Sequence, residues 1–294
     1  MLNELFEEFE GAFSDNTMRA YRADVQHYFQ WCADQGVKAI PATDDVMSRY
    51  VMAMSKTYKS ASIQRRLDCL SSVFNLIGQP NPVSGRKTKL ACKKIYRLLG
   101  RAQQQAEPLR WEALQQMLAV CDDSLMGQRN KLLLQLGYES MRRRAELVAF
   151  TFESRHSISD HQHALVLSRS KTDQLGRGTR VTISNHLNSM ILDWQARIDA
   201  KEGRILRSVS RHGCVGNSLS DESVARIIQR LQHQAGIQTD RPFSGHSFRV
   251  GTALDLLDRG VPLYQIMLRG GWTSETSTLR YLRSWLPNPI GGFD

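Results

Sequence analysis

Apolar residues recur through the first hundred positions at the three-to-four spacing that lays them along one side of a helix. Tyr21, Val25, Tyr28 and Cys32 form such a row from Asn16 onward, and Gly36 ends it as a C-terminal cap. A second helix is predicted after Thr43, an N-cap residue, with Val46, Tyr50 and Met54 on one side. Ile63, Leu67, Leu70, Phe74 and Ile77 make a third, closed by Gly78, and the segment Arg86 to Leu99 makes a fourth. Gly100 to Pro108 has no apolar period and reads as a linker, so the expected boundary separates a domain at 1–103 from one at 104–294. Beyond it, helical patterns cover Trp111 to Cys121, Arg129 to Tyr138 and the stretch around Arg143 to Phe150.

The period then changes. Ala164 to Leu167 and Thr179 to Ile183 are short β-type runs joined by the turn-rich SRSKTDQLGRG, which predicts a hairpin or a small sheet edge with Lys171 near its turn. Helices resume at His186 to Ile198 and at Ser220 to Gln234, where Ser220 caps and Asp221 and Glu222 suit the positive end of the helix dipole. The expected fold class is therefore mainly α: an N-terminal helical domain, then a mixed, mostly helical domain with a small antiparallel β-sheet.

Composition narrows the function classes. The 294 residues are 41% apolar and 23% charged, which fits globular domains rather than disorder. Apolar runs are far shorter than the roughly twenty residues of a spanning helix, and Met1 to Phe13 carries four Glu without Lys or Arg, so no membrane partner and a cytoplasmic location are expected. Five widely spaced cysteines, Cys32, Cys69, Cys92, Cys121 and Cys214, form no C-x-x-C pair; most are expected to be reduced, buried packing residues. With 39 Lys plus Arg against 29 Asp plus Glu the net charge is +10, which favours polyanionic partners. The strongest basic run, without an acid between Asp68 and Glu107, holds Arg86, Lys87, Lys89, Lys93, Lys94, Arg97 and Arg101, candidates for a phosphate-tracking surface.

Phosphate-loop and dinucleotide signatures are absent, which argues against ATP or dinucleotide cofactors. His161 and His163 in DHQH lack partners spaced to complete a metal site, and the stretch reads as a polar turn before a strand. The strongest local feature is SGHSFR, in which His246 and Arg249 sit at i and i+3 near a predicted helix start and can converge on one anion. Gly270-Gly271-Trp272-Thr273 follows, and Tyr281 comes nine residues after Trp272. Upstream, Arg143 precedes Ala145-Glu146-Leu147, and Lys171 lies in the hairpin.

This order, Arg, then Lys in a β-turn, then H-x-x-R, then G-G-W, then Tyr, resembles the tyrosine recombinase (phage integrase) family. SGHSFRVGTALDLLDRGVPLYQIMLRGGW is similar to the Cre recombinase branch, where Trp takes the place of a more usual second His, and SDNTMRAYRADVQHYFQWCADQG is similar to the opening helix of the family's core-binding domain. The resemblance implies site-specific strand exchange on double-stranded DNA through a 3′-phosphotyrosyl link and a Holliday junction, by a homotetramer on two sites, without metal, ATP or other cofactor. It implies Tyr281 as nucleophile, Arg143 and Arg249 as clamps on the non-bridging oxygens and Lys171 as proton donor to the leaving 5′ oxygen. His246 is implied as base or hydrogen-bond donor beside the phenol, Trp272 as a donor to phosphate and Glu146 as the partner holding Arg143. Arg142 and Arg144 depart from the apolar residues common at those positions, which leaves extra phosphate contacts or unusual local packing open. In the tail, Trp285, Leu286 and Phe293 are possible apolar anchors for a neighbouring subunit, and Pro287 and Pro289 forbid a long helix there. A non-catalytic DNA-binding protein and a type IB topoisomerase-like or telomere-resolving enzyme are the alternatives; a metal-dependent nuclease is the rival that a chelator separates.

Overall fold

The computed structural model describes residues 6–7, 9, 11–13, 15–100, 105–159, 162–167, 178–282 and 285. The chain divides into two compact units, residues 1–104 and 105–294.

Among the described residues of the first unit, α1 (Asp15–Asp34), α2 (Asp44–Met54), α3 (Ser60–Leu76) and α4 (Arg86–Leu99) enclose an apolar core, with a 3-10 turn at Pro82–Ser84. The helical rows supply that core: Val25, Tyr28 and Cys32 meet Met47, Tyr50, Met54, Ile63, Leu67, Leu70 and Phe74, while Tyr21, Val46 and Ile77 pack half-buried around them. Thr43 caps α2 by accepting from the Val46 N–H at 3.3 Å. Helix α4 has no side-chain cap of its own, because Gly85 occupies the N-cap. Its first turn is served instead by Asp44, whose carboxylate accepts from the N–H groups of Lys87 and Thr88, each at 2.8 Å, and from Thr88 Oγ1 at 2.8 Å. Gly85 is required there, since a Cβ would lie 2.3 Å from the Asp44 carboxylate. Burial pushes the Asp44 carboxyl up, but these hydrogen bonds and nearby Lys87 outweigh it and hold the group below the usual carboxylate range. A carboxylate thus neutralises the positive end of a helix that is itself strongly basic.

The second unit contains α5 (Trp111–Ala119), α6 (Leu125–Ser140), the single turn α7 (Arg144–Leu147), strands β1 (Arg155–Ser159), β2 (Gln162–Leu167) and β3 (Thr179–Ile183), then α8 (Asn185–Arg197), α9 (Asp221–Gln234), α10 (Ser247–Asp258), α11 (Leu263–Gly270) and α12 (Glu275–Leu282). The sheet is antiparallel in the order β1-β2-β3, with Arg155 opposite Leu165 and Leu165 opposite Val181. Two of these strands are legible in the sequence. The third, β1, reads RHSIS, is almost wholly exposed and has no apolar alternation to reveal it. Strand β2 begins at Gln162, so His163 lies in the sheet rather than in a polar turn, with its Nδ1 3.2 Å from Ser157 Oγ; His161 lies outside the described residues.

The helix expected around Arg143 to Phe150 is cut to four residues. Past Val148 the chain is drawn off to pair elsewhere, with Phe150 O accepting from Ile205 N at 3.0 Å and Thr151 bridging Arg204. Ser220 caps α9 as its position predicts. Cys32, Cys69 and Cys121 are buried, Cys92 is half-buried and Cys214 exposed, all as free thiols. Among the described residues no helix is long and apolar enough to cross a membrane, and no group of three metal-ligating side chains occurs.

Helix α10 is the centre of this unit. Residues Ser247 to Asp255 are all buried, and Gly251 lets the backbone of Leu109 cross it, with Leu109 N bonded to Ser247 O at 3.0 Å. A Cβ at Gly251 would lie 1.8 Å from the Leu109 carbonyl oxygen, a contact with backbone that no rotamer relieves. Gly251→Ala is therefore expected to destabilise the second unit by about 3 kcal/mol or more, read as a lowered midpoint in thermal or urea unfolding; an unchanged midpoint would show that the crossing yields freely.

Candidate active site

Four chain segments meet at the N-terminus of α10. The first is the end of α6, where Met141 adopts a left-handed conformation at φ 53°. That turn lets its N–H close on Gly137 O at 3.2 Å while its carbonyl faces inward and accepts from Arg249 Nη1 at 2.6 Å. The second is Arg143, which N-caps α7. Glu146, three residues on, accepts from the Arg143 backbone N–H at 3.1 Å and from Arg143 Nη1 at 2.9 Å, so one carboxylate fixes both the turn and the guanidinium. Burial raises the Glu146 carboxyl, but the bonds from Arg143 and the charges of Arg143 and Arg142 prevail and keep it below the usual range.

The third segment is α10 itself. His246 stands at the N-cap with no side-chain capping bond, and Arg249, one turn later, is only 1% exposed. The fourth is the end of α11 through α12. Gly271 takes φ 64°, and a Cβ on Gly270 would lie 2.3 Å from the Trp272 ring, so the two glycines fold this turn closely around the indole. Trp272 lies with its ring 4.5 Å from the Arg249 guanidinium carbon. Tyr281, on α12, stacks on His246 at 6.1 Å between ring centroids with 10° between planes, and lies 5.9 Å from Trp272.

Arg143, His246, Arg249, Trp272 and Tyr281 are thus gathered by one shell of contacts, with Glu146 behind Arg143. Arg143 pairs with the one carboxylate here, Glu146, at 2.9 Å, and Arg249 feels its charge from farther off. Burial first, and then the charge of Arg143, push Arg249 down to about 10, with Glu146 and Tyr281 acting the other way. Two donors here are buried without a partner, Arg249 Nε and Trp272 Nε1, and a third, Trp285 Nε1, belongs to a residue packed on the same apolar cluster. Each unmade bond costs about 1–3 kcal/mol. Excess positive charge with unpaired donors is what an anion with several acceptor oxygens relieves.

The other expected residues are placed as follows. Lys171 lies outside the described residues; the strands flanking its segment pair at Leu167 and Thr179. In the first unit Arg86, Lys87, Lys89, Lys93, Lys94 and Arg97 are carried on α4, whose inner face is Thr88, Ala91 and Ile95; Arg101 lies outside the described residues. Lys87 is held by an ion pair with Asp45 at 2.7 Å. Leu286, Pro287, Pro289 and Phe293 also lie outside the described residues. Arg144 pairs with Asp221 at 3.1 Å, and Arg142 is turned inward onto backbone carbonyls. Arg269, which also binds a carbonyl of this shell, carries no signal in the sequence: it is one basic residue on an amphipathic helix.

Both units match known protein families. The model of the phage integrase family matches residues 107–285, and that of the phage integrase N-terminal SAM-like domain matches residues 3–77. The chain is 28% identical over 284 residues to an integrase/recombinase xerD homolog of Selenomonas ruminantium, covering 93% of this chain and 83% of that protein. It is 23% identical over 293 residues to recombinase cre of Escherichia phage P1, covering 93% and 85%. Its fold is similar to that of a lambda integrase dimer bound to a COC′ core site, with a TM-score of 0.67, 15% identity and 98% of both chains covered.

Glu146 makes the stability of this region depend on pH. Its folded pKa lies below the ordinary 4.5, so its contribution is complete above that value and is lost as pH falls through the lower folded one. Glu146→Gln is expected to lower stability by about 1–3 kcal/mol near neutrality. The gap to the wild type should narrow as the pH is taken down through the carboxylate range in a series of melts; a gap that stays constant would show that ionisation of Glu146 is not what stabilises the turn.

Proposed function

Because the chain belongs to the phage integrase family, whose members are tyrosine-type site-specific recombinases, we propose that it breaks and rejoins duplex DNA through a 3′-phosphotyrosyl intermediate. The carrying observation is the pair of buried, unpartnered donors, Arg249 Nε and Trp272 Nε1, beside Tyr281 in a site where two guanidiniums, Arg143 and Arg249, share one carboxylate, Glu146. A phosphodiester supplies the missing negative charge and acceptors. Residues 104–294 form the catalytic domain in this reading, and residues 1–103 the domain that binds the core of the recombination site.

The roles follow from the donors. Arg249 and Arg143 bind the non-bridging oxygens, a task for a planar cation that stays charged at working pH, and Trp272 adds one N–H. Tyr281 Oη attacks phosphorus, the bond from phosphorus to the 5′ oxygen breaks, and phosphate passes to the phenol oxygen. The phenolic proton leaves toward His246, whose ring stacks on Tyr281, and Lys171 protonates the departing 5′ oxygen. The ester bond is exchanged rather than hydrolysed, so the 5′-hydroxyl of a partner strand reverses the step and no nucleotide is consumed. Two rounds of exchange pass through a Holliday junction, which requires four protomers on two sites. The cations of α4 track phosphates.

With nicked duplex DNA from the flanks of the gene and a chelator present, the wild type is expected to form a covalent adduct that peptide mapping places on Tyr281. Tyr281→Phe should form none, and Arg249→Ala should slow single-turnover cleavage about 10²–10³-fold. An adduct that survives in Tyr281→Phe would sink the assignment; specific binding without any adduct would leave a non-catalytic DNA-binding protein.

The ion pair of Lys87 with Asp45 separates the cations of α4. Removal of Lys93 or Lys94 should lower the slope of log K against log salt by about 0.9 for every phosphate that the side chain had neutralised, whereas Lys87→Ala should change it less. Equal changes for all three would show that the pair opens on DNA.

A further inference from the structure

Arg142 is adjacent to the clamp residue Arg143, yet it is only 3% exposed and faces the other way. Its Nε donates to Ser140 O at 3.1 Å and its Nη2 donates to Arg269 O. Arg269 returns the contact: its Nη2 donates to Glu139 O at 2.7 Å, and its Nη1 lies 3.4 Å from Thr182 Oγ1 on β3. Ser140 and Glu139 are in the last turn of α6, and Arg269 is in the last turn of α11. A helix C-terminus leaves carbonyls without partners and carries negative potential. Here each of two C-termini is served by an arginine from the other.

What leaves those two ends is the phosphate-facing shell. Past α6 comes Met141, whose carbonyl holds Arg249, and past α11 come Gly271 and Trp272. Gly271 lies so near Arg142 that a Cβ would be 2.8 Å from Nη1. Arg249 in turn lies over Trp272, which closes the circuit. Among the described residues neither Arg142 nor Arg269 has a carboxylate within ion-pair distance, and burial pushes both guanidiniums down. An apolar pair would fill this space at less electrostatic cost, so what the arginines add is a fixed geometry.

We propose that Arg142 and Arg269 form a crosswise bracket of positioning residues that sets Arg249 and Trp272 at the distance a scissile phosphate requires. The bracket rests on the recombinase reading above. It touches no reacting atom: Nε and Nη2 of Arg142 are both occupied by carbonyls, and the effect passes through the Met141 carbonyl and the Gly270-Gly271 turn.

The test compares wild type, Arg142→Leu, Arg269→Leu and the double variant in single-turnover cleavage of the same nicked DNA. Two substrates are used, one with an ordinary scissile phosphodiester and one with a neutral methylphosphonate there, and DNA affinity and thermal midpoints are measured in parallel. Removing the charge removes most of the demand on Arg249. On phosphodiester each single variant is expected to bind DNA as the wild type does and to cleave about 100-fold more slowly, as a displacement near 1 Å in a reacting assembly produces. The deficit should shrink to about 10-fold or less on methylphosphonate, and the double variant should be no slower than the slower single one. Loss of packing alone would slow both substrates equally.

Cleavage by both single variants within about twofold of the wild type, or an equal deficit on the two substrates, would overturn the bracket. Should Arg142→Leu show no cooperative melt, Arg269→Leu decides by the same criteria, because its side chain is half-exposed. Failure of the wild type itself to form an adduct would remove the recombinase reading instead, a different result from active wild type with unimpaired variants.

Discussion

The second unit depends on the burial of one cation, Arg249. A guanidinium taken out of water needs hydrogen bonds and opposing charge, and the protein supplies both incompletely. The Met141 carbonyl, the face of Trp272 and the more distant Glu146 meet part of the demand, while Nε stays without a partner. The left-handed turn at Met141, the paired glycines before Trp272 and the carboxylate behind Arg143 each let this cation lie deep in the fold. In the function proposed above, stability withheld at this point is available to a bound phosphate, and most to one whose charge is growing on its equatorial oxygens.

Positive charge is handled differently in the first unit. Helix α4 carries its cations on its outer side, where water screens them, and its own positive end is met by Asp44 reaching from the neighbouring helix. That arrangement keeps the basic face open while the fold holds the helix by Thr88, Ala91 and Ile95. The proposed tracking of a phosphate backbone would need this arrangement, since exposed cations exchange counterions readily and buried ones do not. The two units thus place their cations differently: exposed on a helix face in one, buried against carbonyls and an indole in the other.

Much of this is legible in the chain as written. Helical rows such as Tyr21-Val25-Tyr28-Cys32 and Ile63-Leu67-Leu70-Phe74, the caps at Thr43 and Ser220 and the runs that become β2 and β3 all follow from local periodicity and side-chain chemistry. The ordered series Arg143, His246, Arg249, Trp272, Tyr281 can be picked out from its resemblance to a known family, and the fold brings these residues together. Strand β1 and the short α7 are not: one has no apolar face, and the other is cut off by pairing with residues more than fifty positions away.

The sequence by itself therefore determined which residues are available for chemistry and which faces must be buried, since both are set by residue type and spacing within a few turns of chain. Only the tertiary structure decided how the arginines divide their work. In the run Arg142-Arg143-Arg144 one side chain turns inward to carbonyls, one pairs with Glu146 and one with Asp221. Three identical neighbours cannot be told apart by local pattern; the choice is made by helix ends and carboxylates brought to them from distant parts of the chain. The same holds for the partnerless nitrogens of Arg249 and Trp272, because whether a donor is satisfied is a property of everything packed around it.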